Sequence, residues 1–88
     1  MLRITEETLN AKTARIRLEG QIIGPYVIEV QKSCEELLNA GRSLALDMAD
    51  VSFVDRNGIA LFKELSRRNV SLVNCSAFLT EQLKEDAS

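Results

Sequence analysis

Apolar and polar residues alternate at two places near the start of the chain. Leu2 and Ile4 have polar neighbours, and Ala14, Ile16 and Leu18 repeat the pattern after a polar stretch with a turn around 10–12. A period of two is typical of strands that bury one face. We therefore predict two strands that pair with each other in antiparallel orientation.

The period changes to that of a helix after Gly24 and Pro25. Proline suits a first helical turn because its missing N–H needs no partner there. Apolar residues then recur every three or four positions and predict one buried stripe, made of Ile23, Val27, Val30, Cys34, Leu37 and Leu38. Gly41 follows and predicts the end of this helix.

The rest of the chain repeats the alternation of strand and helix. The apolar run over 44–48 predicts a central strand covered on both faces, followed from Ala49 by a half-buried connection. A helix is expected over 56–68 and a strand over 70–73. Phe78, Leu79 and Leu83 predict a short amphipathic last helix.

The predicted order is strand, strand, helix, strand, helix, strand, helix. Strand–helix–strand units imply parallel pairing, so only the first strand should be antiparallel. We predict one α/β domain over 1–88, with a small, mixed, mostly parallel sheet.

Composition removes several classes of function. The 88 residues carry 11 Lys and Arg against 13 Asp and Glu, a net charge of -2, which argues against binding to nucleic acid. No apolar run is long enough to enter a membrane, and the N-terminus lacks a signal peptide, so we expect a cytoplasmic protein. Two distant cysteines and no histidine predict neither a disulfide nor a metal or other cofactor.

The most unusual segment runs from Val51 to Ile59. In parallel sheets, functional groups collect beyond the carboxyl ends of the strands. Asp55 stands where it would cap the following helix, and Arg56, Asn57 and Gly58 would form the exposed first turn. By local pattern alone, an ordinary cap and an ordinary first turn are the better explanation of these residues, because helix caps are more common than functional sites.

The segment from Leu44 to Ile59 resembles the signature of STAS domains. In that family an apolar strand ending in Asp leads to Asp-Ser-Ser-Gly or Asp-Ser-Thr-Gly at a helix start, and here the motif is Asp55-Arg56-Asn57-Gly58. Leu18-Glu19-Gly20 is similar to the family's second strand and its glycine turn. The resemblance implies the fold of the anti-sigma factor antagonists and a regulatory protein-binding role without catalysis.

The resemblance also implies a switch that this chain lacks. In those antagonists the hydroxyl residue before the glycine is phosphorylated by a partner kinase, which is also the anti-sigma factor. Asn57 holds this position, Arg56 replaces the hydroxyl residue before it, and Ile23 stands where an acidic residue is common. We expect a state locked as if unphosphorylated. The chain ends at Ser88, earlier than many relatives, so a terminal element is expected to be absent.

The resemblance implies one partner surface around this turn and the loops beside it: Asp55, Arg56, Asn57, Gly58, Gly24 and Asp50. The implied partner is an anti-sigma factor, a serine kinase of the histidine-kinase-like ATPase type. The alternative is an accessory subunit of an ABC-type phospholipid transport system.

Two further alternatives stay open from the residues. Asp47, with Asp50 and Lys63, superficially resembles the phosphoacceptor site of a receiver domain, although the earlier acidic pair of such a domain is missing. Arg67 and Arg68, with Arg56 and Lys63, could form a basic patch.

Overall fold

The structure is a computed structural model, and it describes residues 1–85. Its elements follow the predicted order and are β1 (Leu2–Thr8), β2 (Thr13–Ile22), α1 (Pro25–Asn39), β3 (Ser43–Val54), α2 (Arg56–Arg67), β4 (Ser71–Val73) and α3 (Ala77–Glu85). Among these residues no helix is both long enough and apolar enough to cross a membrane.

The four strands form one mixed sheet in the order β1-β2-β3-β4. β1 is antiparallel to β2, whereas β2 with β3 and β3 with β4 are parallel, as predicted. The turn between β1 and β2 is closed by Asn10, whose side-chain oxygen accepts from the N–H groups of Lys12 and Thr13 at 2.8 and 2.9 Å.

The core lies on one face of the sheet, beneath α1 and α2. The inward residues of the two central strands are buried together with the apolar stripes of both helices, and Phe62 is the largest fully buried side chain. The other face carries charged residues such as Arg15, Arg17 and Asp47, and we call it the open face. The prediction that the third strand is covered on both faces is therefore wrong: α1 and α2 pack on the same side.

β3 is much longer than its apolar run. It continues to Val54, so the prediction of a connection from Ala49 is wrong. The register with β2 shifts twice, between Arg17 and Glu19 and again between Gly20 and Gln21. Each shift places one extra residue on β3, and such bulges destroy the period of two by which a strand is recognised.

The first helix begins at Pro25, two positions after the first residue of its predicted apolar stripe. Gly24 is the N-cap of α1, so Ile23 belongs to the connection before the helix. Both cysteines are free thiols, as expected; Cys34 is buried in the core and Cys75 is half-buried. Burial raises the pKa of the Cys34 thiol to about 12.

Candidate functional site

The candidate site lies where β2 and β3 end and α1 and α2 begin. The last paired residues of the two strands are Ile22 and Val54. The backbone N–H of Asp55 donates to the carbonyl oxygen of Ile22 at 3.1 Å. This bond holds the two strand ends side by side, so both helices start at the same edge of the sheet.

The Asp55 carboxylate joins the starts of both helices. One oxygen accepts from the N–H of Gly58 at 2.8 Å, which is the predicted cap of α2. The other accepts from the N–H of Gly24 at 2.9 Å, at the start of α1. These N–H donors, first Gly24 and then Gly58, lower the pKa of Asp55, because they stabilise the ionised carboxylate.

Position 58 requires glycine because Val54 and Ile22 lie close to its Cα, and not because of its backbone angles. A Cβ at this position would lie 2.4 Å from Cγ1 of Val54 and 3.2 Å from the carbonyl oxygen of Ile22. The branched Val54 side chain has little freedom to move away. Glycine therefore lets the first turn of α2 pack directly onto the ends of both strands.

Arg56 and Asn57 face solvent between these two anchored residues. Both are exposed, and neither side chain makes a hydrogen bond or ion pair with another residue in the range 1–85. The first turn of α2, residues 55–58, thus has two structural positions at its ends and two free side chains in the middle. We call it the helix-start turn.

The structure brings together five of the six predicted surface residues and separates the sixth. Gly24 meets the helix-start turn through Asp55. Asp50 lies within β3 beside Glu19, where it accepts from Nε of Arg17 at 3.2 Å on the open face. Asp50 lies four positions before Val54, which is about 13 Å along a strand.

A groove beside the helix-start turn, lined by two exposed aromatic residues, did not follow from the sequence. Phe53 is 50% exposed and Phe78 is 66% exposed. They line a groove of about 430 Å³ together with Val54, Asp55, Arg56, Ile59 and Gln82, which we call the Phe53–Phe78 groove. The sequence did contain a signal for an exposed residue here. Neighbours in a strand point to opposite faces, so Phe53 and Val54 cannot both be buried on one side.

Asp47 is a structural carboxylate of the open face. One oxygen accepts from Arg15 Nη2 at 2.8 Å, and the other accepts from the side-chain amide of Asn74 and the N–H of Ala49, both at 3.1 Å. The Asn74 bond, the Ala49 bond and then Arg15 lower the pKa of Asp47 to about 2. The Asp47 side chain is only 13% exposed. Both of its oxygens are occupied by hydrogen bonds within the chain.

Two arginines of the basic patch suggested by the sequence have acidic partners. Arg67 pairs with Glu64 at 3.7 Å, and Arg68 pairs with Glu35 of α1. The first pair joins positions three apart on α2, as charged residues on solvated helix faces commonly do, and the second links the end of α2 to α1. Across the described part of the chain, no three metal-ligating side chains cluster.

The Asp55 cap and the glycine turn thus lie at the edge of the mixed four-stranded sheet where two helices start. The chain belongs to the STAS domain family, whose profile matches residues 4–83. A solved structure of the anti-sigma factor antagonist SpoIIAA in its unphosphorylated form is similar in fold, with a TM-score of 0.72 and 19% identity. The match covers 94% of this chain and 79% of that one. A search of curated proteins with this sequence finds no significant match.

Proposed function

We propose that this chain is a non-catalytic regulatory module that binds a protein partner through the helix-start turn and the adjoining start of α1. The proposal rests on a difference between the two ends of the turn and its two middle positions. Asp55 and Gly58 are committed to the fold, whereas Arg56 and Asn57 are exposed without a partner among the described residues. Side chains that the fold does not use are available to a partner.

The proposed partner is an anti-sigma factor, a serine kinase of the histidine-kinase-like ATPase type. Support comes from membership of the STAS family and from the fold shared with an anti-sigma factor antagonist. The proposal includes a cytoplasmic location, where such a partner would act, and a single functional unit over 1–88. One continuous core that includes residues from all three helices supports the single unit.

The proposed state is permanently active. Phosphorylation would add close to two negative charges at the position of Asn57, but an amide has no hydroxyl to accept phosphate. Asn57 is neutral and exposed, so the turn presents the surface of an unphosphorylated protein at all times. We infer that binding is controlled by the amount of this protein or of its partner, and not by a phosphate on this turn.

The test is affinity capture from a lysate of the source organism, read by mass spectrometry. The baits are the native chain, Asn57→Asp and Ser66→Asp, the last being a control that adds the same charge at an exposed position near the other end of α2. We expect an ATPase-type anti-sigma kinase with the native chain and the control, and its loss with Asn57→Asp. Recovery of transporter components would support the accessory-subunit alternative. Equal recovery of the kinase with all three baits would refute the proposed surface.

A further inference from the structure

We propose that the Phe53–Phe78 groove receives an apolar side chain of the protein partner that is flanked by acidic residues. The inference rests on the proposed partner-binding function and specifies the chemistry of the partner. It starts from two aromatic side chains that are 50% and 66% exposed and line the same groove. Aromatic side chains contribute strongly to interfaces because each buries a large apolar area.

The groove has an apolar floor beneath the aromatic pair. Ile59 and Val54 are buried residues of the core, and both also line the groove. The volume of about 430 Å³ lies within the range of sites that hold ligand groups. A single large side chain of a partner could therefore reach the edge of the core between Phe53 and Phe78.

The charges at the rim favour an acidic neighbour for that side chain. Arg56 lines the groove, is exposed and has no ion pair with another residue in the described range. The N-terminus of α2 lies at the same end, and helix N-termini attract negative charge. Asp55 supplies the one carboxylate among the described lining residues, and both its oxygens already accept backbone N–H groups. Arg56 is therefore the one charged side chain of the lining that has no partner in the described range, and it is the group that an acidic residue of the partner would meet.

The groove and the helix-start turn form one continuous surface. Asp55 and Arg56 belong to both, so a partner that covers Asn57 would extend over Phe53 and Phe78 without a gap. Interfaces of this type gain most of their affinity from a few large side chains buried near the centre. The groove would supply that anchoring, and the turn would supply polar contacts.

The probes are two short peptides with a central Trp, one flanked on each side by two Glu and the other by two Lys. The protein contains no Trp, so peptide fluorescence reports binding and backbone amide NMR shifts report its position. We expect the acidic peptide to shift the amides around Phe53, Arg56 and Phe78. We expect it to bind about tenfold more tightly than the basic peptide. Arg56→Glu should reverse this preference.

Two variants separate binding from folding. Phe78→Ser and Phe53→Thr each replace an exposed aromatic residue, and Thr retains a strong preference for strands. Both should keep the native circular dichroism spectrum and lose about tenfold in affinity for the acidic peptide. Equal binding of both peptides, or shifts confined to other surfaces, would overturn the proposal. So would a native dimer that Phe78→Ser converts to a monomer, because the groove would then receive a second copy.

The same variants distinguish this proposal from the broader one. A captured partner that binds Phe78→Ser as tightly as the native chain, yet fails to bind Asn57→Asp, would overturn the groove and leave the proposed function standing. A partner indifferent to both variants would overturn both proposals. Loss of the partner with both variants, Phe78→Ser and Asn57→Asp, would support both proposals.

Discussion

The open face of the sheet and the edge where the helices start, which we call the helix-start edge, both carry charged residues. Those of the open face pair with one another, whereas Arg56 at the helix-start edge has no partner among the described residues. On the open face the arginines of β2 pair with carboxylates of β3, Arg15 with Asp47 and Arg17 with Asp50. Asn74, which follows β4, adds a further bond to Asp47. The charged side chains of this face therefore bind one another and link neighbouring strands.

The helix-start edge has the opposite character. The carboxylate of Asp55 accepts from backbone N–H groups, and the guanidinium of Arg56 is left exposed. Phe53 and Phe78 add apolar surface that the core does not cover.

The difference teaches that residue type alone does not locate a binding surface. Asp47 and Asp55 both follow apolar stretches, and hydrogen bonds lower the pKa of both. Each of them is structural, and the distinguishing feature is whether the neighbouring side chains have partners within the chain. Variants of the two regions should therefore separate into those that change stability and those that change binding.

The largest expected effect is that of Gly58→Ala on stability. The added methyl group would meet Val54 at 2.4 Å and the Ile22 carbonyl oxygen at 3.2 Å, so the start of α2 must move away from the strands. We expect a loss of about 1–3 kcal/mol in the free energy of unfolding. Urea denaturation at pH 7 measures it, with Ser66→Ala on the exposed side of α2 as the control. A variant as stable as the native chain would show that close packing is not the role of this glycine.

The second effect, that of Asn57→Asp, concerns binding and not stability. A negative charge at this exposed position reproduces part of a phosphate, and we expect partner affinity to fall about tenfold. The added charge lies in the first turn of α2, where it interacts favourably with the positive end of the helix dipole. The midpoint of thermal unfolding should therefore stay the same or rise. Calorimetric titration with the captured partner and thermal unfolding give the two values. Loss of binding accompanied by loss of stability would remove the distinction between anchored and free positions.

Local signals account for what the sequence predicted correctly. The element order, the hairpin turn and the Asp55 cap of α2 depend on residues close in sequence, whose periods and side chains are visible directly. The length of β3 was missed because two bulges interrupt its alternation. The bond from Gly24 to Asp55 joins residues 31 positions apart, and the groove requires knowing where α3 passes β3. No local pattern contains the Gly24–Asp55 bond, and the alternation at Phe53 and Val54 indicates only that one of these two residues is exposed.

The third effect, that of Asp47→Asn, should depend on pH. In the folded chain the pKa of Asp47 is about 2, below its ordinary 3.8, so the ionised carboxylate stabilises the fold above about pH 4. At pH 7 we expect the variant to lose about 1 kcal/mol, because Arg15 no longer meets a charge. The difference should shrink as the pH falls from about 4 to 2, where the native carboxylate becomes protonated. Urea denaturation across this range checks it, and a difference that stays constant down to pH 2 would contradict the structural role.

The smallest expected effect is that of Asp50→Ala, and it tests where the partner surface ends. The sequence placed Asp50 beside the helix-start turn, but its carboxylate binds Arg17 on the open face, about 13 Å along β3 from Val54. Because this ion pair is half exposed, its loss should change stability by at most about 0.5 kcal/mol. Partner affinity should stay within about twofold, whereas Arg56→Ala in the same titration should weaken it clearly. A loss with Asp50→Ala equal to that with Arg56→Ala would mean that the partner also covers the open face, and that its internal ion pairs give way to contacts with the partner.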